Sequence, residues 1–260
     1  MGQADLVILH DGLAAQALDI LSKPAISYPF AVPAAADELV KDLKGHPHAY
    51  VIACMMDRQV NAEKAWGIPF ELQRQERLGS FEFSFLLQQS EERLEYAMLH
   101  PRPLHRFNAL MATSMYAAIH RINDEYDGNA RAIWAGRPSS RVLVHRFLEF
   151  RGMGPKIANM AVNILYRDLR VELADCSSID ISADVQVTRV YARMGFVPQD
   201  ASIEDVIYHA REMYPEYPGI YGLILWDLGR TKCRPQNPAC TSCEWAAHCA
   251  YAKGDHTSLA

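Results

Sequence analysis

Four of the chain's six cysteines fall within 17 residues: Cys233, Cys240, Cys243 and Cys249, separated by gaps of six, two and five. Thiols at that density form disulfides, hold a tetrahedral zinc ion, or hold an iron–sulfur cluster. Disulfides fit least. A chain of 260 residues, half of them hydrophobic, buries a core without covalent staples. Its start, Met1-Gly2-Gln3-Ala4-Asp5, has neither the basic residues nor the apolar run of a secretory leader. Zinc ribbons use two short C-x2-C knuckles, whereas only Cys240 and Cys243 form one here. Four thiolates on uneven loops suit a larger object, so the spacing favours iron–sulfur over zinc and leaves zinc as the alternative. Cys54 and Cys176 stand apart and read as small core residues.

A second stretch could also do chemistry. Phe150-Arg151-Gly152-Met153-Gly154-Pro155-Lys156-Ile157-Ala158 follows an amphipathic segment, Val142 to Phe150, and leads into a predicted helix with Pro155 as its first residue. Two glycines two apart permit a tight turn with positive φ and leave backbone N–H groups uncovered. Bare amides beside a helix N-terminus offer a seat to a phosphate; a plain helix–helix turn is the other reading. Arg131, Arg137, Arg141, Arg146, Arg151 and Lys156 surround it in sequence against one acid, Glu149, although the whole chain carries a net charge of -5. DNA contact in such a chain has to come from a local basic patch. Asp184, just before the apolar spacing Val187, Val190, Tyr191 and Met194, reads as a helix N-cap.

The elements that must position these groups are helical. Leu13, Ala14, Ala17, Leu18 and Leu21 make one helical face, stopped at Lys23-Pro24; Pro29 and Pro33 mark a loop, and Ala34 to Leu43 turns helical again. His48 to Trp66 reads as one buried helix with a polar end, closed by Gly67-Ile68-Pro69. Phe70 to Met98 is acidic and helical. Leu104 to Ile122 is a long helix with Phe107, Leu110, Met111, Met115, Ala118 and Ile119 inward, and Ala130 to Trp134 is a short one. Ile179 to Val187 is the nearest thing to a strand, and Ala252 to Ala260 reads as a disordered tail. No run of 18 apolar residues occurs, so no membrane span is expected.

The cysteine spacing resembles the C-terminal cluster loop of the endonuclease III family of DNA glycosylases. The glycine turn resembles that superfamily's helix-hairpin-helix, whose glycines, lysine and alanine match in register while its Leu-Pro pair does not. Ala183-Asp184-Val185-Gln186-Val187-Thr188-Arg189-Val190 resembles the family's Val-Asp-Thr-His-Ile-x-Arg-Val segment, with Gln186 in the place of its usual His. Asp57-Arg58-Gln59 is similar to its Ser-Ala-Gln segment, and Gly222 to Cys233 to the helix that leads into the cluster. Phe70 to Pro103 and Tyr166 to Asp180 are longer than their family counterparts.

The resemblance implies an all-α, two-lobed glycosylase fold. A helical barrel over 40–178, ending in the hairpin, would face a lobe built from 1–39 and 179–260 that carries a [4Fe-4S] cluster on Cys233, Cys240, Cys243 and Cys249. It implies a base-excision enzyme with AP lyase activity. Lys156, at the second position of its helix, would be the amine nucleophile and Asp184 the assisting carboxylate. Gln59 would fill the gap left by an everted nucleotide, with Arg106 beside the opposite strand. Arg151, Gly152, Gly154, Arg230, Lys232 and Arg234 would meet phosphates. The expected partner is double-stranded DNA with a damaged base, oxidised pyrimidines by default, or an abasic site, bound by an intracellular monomer. The rivals are a monofunctional mismatch- or alkylated-base glycosylase, a non-catalytic hairpin protein that binds DNA, and an unrelated helical zinc protein.

Overall fold

A computed structural model describes residues 2–23 and 28–254. In chain order the α-helices are α1 (Gln3–Ser22), α2 (Ala34–Lys41), α3 (Pro47–Met56), α4 (Ala62–Trp66), α5 (Ile68–Leu72), α6 (Phe83–Leu86), α7 (Glu91–Leu99), α8 (Asn108–Tyr126), α9 (Ser140–Leu148), α10 (Pro155–Arg167), α11 (Val185–Met194), α12 (Ile203–Met213) and α13 (Gly222–Thr231). No strand occurs among the described residues: 179–184 is irregular, and Val185 already begins α11. Pro24 and residues 255–260 of the expected tail lie outside the described residues; 252–254 form a turn.

The chain divides into two compact units, Ser27–Ala174 and Met1–Ile26 with Asp175–Ala260. The expected boundary at residue 40 therefore moves. Phe30, Ala31, Ala36, Leu39 and Val40 are buried in the first of these units, because α2 packs on α3 and α5.

In Ser27–Ala174, α3 is the axis: all ten of its residues are buried, and α2, α5, α8 and α10 pack on it. The Tyr50 hydroxyl donates to the Ala161 carbonyl of α10 at 2.6 Å, which satisfies a phenol that no water reaches. The single helix expected over 48–66 breaks after Met56. Arg58 N–H turns back onto the Met56 carbonyl at 2.8 Å, Gln59 adopts φ +55°, and Asn61 restarts the chain by capping Lys64 N–H. Neither Gly nor Pro marks this break; the polar run Asp57 to Gln59, with Asn61 as the cap residue, is the cause. The long 70–103 segment is not one helix either. Arg77, 3% exposed, donates to the carbonyls of Ala97, His100 and Arg102, so a buried guanidinium ties its loops together. α7 then packs along α8, whose buried face is Met111, Ala112, Ser114, Met115, Ala118, Ile119 and Ile122. Leu110, expected inward, lies on the exposed side.

In the other unit α1 buries Leu9, Leu13, Ala14 and Ala17, while Leu18 points outward against expectation. α11 and α13 pack face to face, and the contact is close because Gly229 has no side chain: a Cβ there would lie 2.9 Å from Gln186 Cβ. Cys54 is buried as expected, but Cys176 is only half-buried.

Candidate active site and cysteine loop

Ser139 caps α9, accepting Val142 N–H, and the helix ends at Glu149. Phe150 and Met153 are buried and act as anchors under the turn. Between them Gly152 takes φ +91°, and a Cβ there would sit 3.0 Å from Ser114 Oγ. Its glycine is required twice, by backbone conformation and by space. Gly154 differs from expectation. Its backbone is extended, φ -84° and ψ 177°, and an added Cβ would meet nothing within 4 Å. Gly154 is thus the N-cap of α10 in open surroundings. Pro155 is the first helical residue, and Lys156, exposed, is the second. The first-turn amides lack intrahelical acceptors, and the helix dipole adds positive potential there. Arg151 is exposed at the same turn.

Elsewhere in this unit Gln59 is exposed on its positive-φ bend, an uncommon conformation for a residue that is not glycine. Arg106 is exposed, with its guanidinium carbon 4.9 Å from the centre of the Phe107 ring.

In the second unit Asp184 is the N-cap of α11. Its Oδ1 accepts Gln186 N–H at 2.8 Å and Val187 N–H at 2.9 Å, so both cap bonds fall on one oxygen. The carboxylate is therefore held rigidly at the head of the helix. One turn on, Arg189 donates to Gln186 Oε1, to the Gly229 carbonyl at 2.8 Å and to the Cys233 carbonyl at 2.9 Å. The helix that presents Asp184 is thereby fastened to the start of the cysteine loop.

All four clustered cysteines line one pocket, together with Arg193, Trp245 and Tyr251. None is in a disulfide. Arg193, 8% exposed, sits at the wall: Nη1 lies 3.5 Å from Cys233 Sγ and donates to the Arg234 carbonyl at 2.7 Å, and Nη2 donates to the Pro235 carbonyl at 2.9 Å. Burial pushes the Cys243 and Cys249 thiols up. Among the described residues no three His, Cys, Asp or Glu side chains close to metal-ligand geometry. The donor set around the pocket is nonetheless four sulfurs and no carboxylate, which fits a thiolate-bound metal centre. The loop is also fixed from α1: Asp5 pairs with His248 at 3.0 Å and Lys253 at 2.8 Å, and Gly12 lies against Trp245. Of the expected phosphate contacts, Arg230 is exposed and stacks on Trp226, Arg234 is exposed, and Lys232 is engaged by Glu244.

Sequence reasoning passed over Arg193 and gave Arg189 no role beyond its place in a motif. Their signal was available: two arginines one helical turn apart, on a helix packed beside a thiol cluster, need buried carbonyl or sulfur partners.

No protein-family profile matches the chain, and no curated protein matches it by sequence. Solved structures do. A trapped endonuclease III–DNA covalent intermediate superposes with a TM-score of 0.64 at 18% identity, covering 99% of this chain and 100% of that one. A non-covalent endonuclease III–DNA complex gives 0.63 at 18% identity, with 98% of each chain covered. A thermostable thymine-DNA glycosylase gives 0.58 at 14% identity, covering 94% of this chain and 97% of that one. The all-helical architecture agrees with that likeness, and the chain has the helix-hairpin-helix DNA glycosylase fold.

Proposed function

We propose that the protein is a DNA glycosylase with AP lyase activity, in which Lys156 is the nucleophile. The observation that carries this reading is the placement of Lys156: an exposed amine at the second position of α10, directly behind the Gly152–Gly154 turn, in a fold shared with an endonuclease III trapped as a covalent DNA intermediate.

The chemistry asks little more of the chain. The neutral amine of Lys156 attacks C1′ of the deoxyribose, the C1′–N bond to the base breaks, and the base leaves with its electron pair and a proton. The C1′–O4′ bond then opens to a Schiff base. Loss of a C2′ proton expels the 3′ phosphate by β-elimination, and water releases the lysine. Asp184 supplies a rigid carboxylate that stabilises positive charge at the sugar and assists proton transfer. The amides at Gly154 and the head of α10 hold a backbone phosphate, aided by Arg151. Gln59 fills the space left by the everted nucleotide, with Arg106 facing the opposite strand. Arg230 and Arg234 meet phosphates near the cysteine loop.

The four thiolates of Cys233, Cys240, Cys243 and Cys249 hold a [4Fe-4S] cluster in this reading. When bound, it contributes folding energy by fixing the loop that carries Arg234. Oxidised pyrimidines in duplex DNA are the proposed substrates.

Borohydride trapping tests the reading. Reduction during incubation with an abasic duplex is expected to leave a stable protein–DNA adduct through Lys156. A chain that excises a damaged base yet yields no adduct is a monofunctional glycosylase, and the lysine assignment fails.

A further inference from the structure

His105 is buried, at 2% exposed, and it touches both segments that the proposed function brings to the DNA duplex. Its Nδ1 accepts Phe107 N–H at 3.0 Å, so its Nε2 carries the proton and donates to the Met56 carbonyl at 3.2 Å. Met56 is the last residue of α3, and the same carbonyl accepts Arg58 N–H at 2.8 Å, closing the turn that throws Gln59 into its positive φ. On the other side Asn108 locks the backbone around His105: His105 N–H donates to Asn108 Oδ1 at 2.9 Å, and Asn108 Nδ2 donates to the His105 carbonyl. Arg106 projects from this closed loop into solvent. One imidazole thus spans two polar segments separated by 49 residues in sequence, each ending in an exposed side chain.

We propose that His105 is a positioning residue that fixes the Gln59 bend to the Arg106–Phe107 loop, so that the two segments recognise the gap in damaged duplex as one body. The inference rests on the glycosylase reading above and adds a specificity determinant to it. Both bonds require the neutral ring with its proton on Nε2. Burial, above all, pulls the pKa of His105 below the ordinary histidine value and keeps that form. A loop pinned at both ends spends less binding energy on ordering its backbone, and that saving falls on the gapped duplex, where the side chains insert.

Two substitutions separate the bonds. In His105→Asn the short amide can still accept Phe107 N–H but no longer reaches Met56; in His105→Gln the longer amide can still donate to the Met56 carbonyl. The measured quantity is the ratio of affinities for a duplex carrying a tetrahydrofuran abasic analogue and for the intact duplex, in the holoprotein. The expected result is a ratio lowered about tenfold in His105→Asn and kept within about threefold of wild type in His105→Gln. Equal weakening on both duplexes, an unchanged ratio in His105→Asn, or loss of the ratio in both variants overturns the proposal. A wild-type chain with no preference for the analogue refutes the glycosylase reading itself, and the inference falls with it. Should His105→Asn not fold, hydrogen exchange on the wild type decides. The amides of 57–60 and 105–108 are expected to open at one common rate, and independent opening overturns the proposal.

Discussion

The two hairpin glycines have different reasons to be glycine, and substituting alanine for each separates them. At Gly152 the backbone φ of +91° penalises any Cβ, and that Cβ would stand 3.0 Å from Ser114 Oγ and 3.4 Å from Ser114 Cβ. The left-handed conformation costs about 1–2 kcal/mol, and pressing a methyl into a packed wall costs about 1–3 kcal/mol. Gly152→Ala is therefore expected to lose about 2–5 kcal/mol in urea unfolding. Ser114 Oγ is buried without a hydrogen-bond partner, so Ser114→Ala alone is expected to cost less than about 0.5 kcal/mol. The double variant should recover the share of the steric part due to Ser114 Oγ and keep the backbone part, a coupling of about 1 kcal/mol. Gly154→Ala is the contrast. Its φ of -84° and ψ of 177° suit alanine, its surroundings are open, and the substitution narrows the unfolded ensemble. Its stability is expected to be unchanged or raised by up to about 1 kcal/mol, while affinity for duplex DNA, read by fluorescence anisotropy, falls because the new methyl stands in the open space from which a phosphate would approach the head of α10. Equal stability losses at the two positions would refute this division of labour, and so would a Gly154→Ala protein that binds duplex like the parent.

The same reasoning applies elsewhere in the chain. Gly229→Ala would put a Cβ 2.9 Å from Gln186 Cβ and 3.2 Å from its carbonyl oxygen, so α11 and α13 must part; a loss of about 1–3 kcal/mol is expected in urea unfolding. Gly12→Ala would place a Cβ 2.7 Å from the Trp245 ring, displacing a residue that lines the cysteine pocket; a shift in Trp fluorescence is expected, with faster loss of iron from the proposed cluster to a chelator. Asp5 is held down to a pKa of about 2, chiefly by its hydrogen bond to Lys253 and then by that to His248. A depressed carboxylate contributes stability that is full above its unfolded pKa and lost as pH falls through its folded value. The attachment of α1 to the cysteine loop should thus weaken between about pH 4 and pH 2, a transition expected to be absent in Asp5→Asn when followed by Trp fluorescence.

Much of the architecture could be read from short-range rules. The N-cap at Asp184, the first-turn Pro155 and the helical faces of α8 and α11 follow from spacing and cap chemistry, which act over a few residues. What escaped depends on partners distant in sequence. The break after Met56 is clamped by His105, 49 residues on, and the 70–103 segment folds around Arg77 and carbonyls 20 to 25 residues away. Leu18 and Leu110 have the right period but sit at the edges of their apolar stripes, where only the neighbouring helix decides exposure. Gly152 and Gly154 look equivalent in sequence; the positive φ of Gly152 and the Ser114 wall distinguish them.

Lys156 is the point on which the chemistry turns, and single-turnover cleavage of an abasic duplex examines it most directly. Lys156→Ala is expected to retain the fold, the wild-type absorbance of the purified protein and duplex binding, and to show no strand cleavage above the protein-free rate. A variant that nicks the abasic strand at the parental rate would contradict the account.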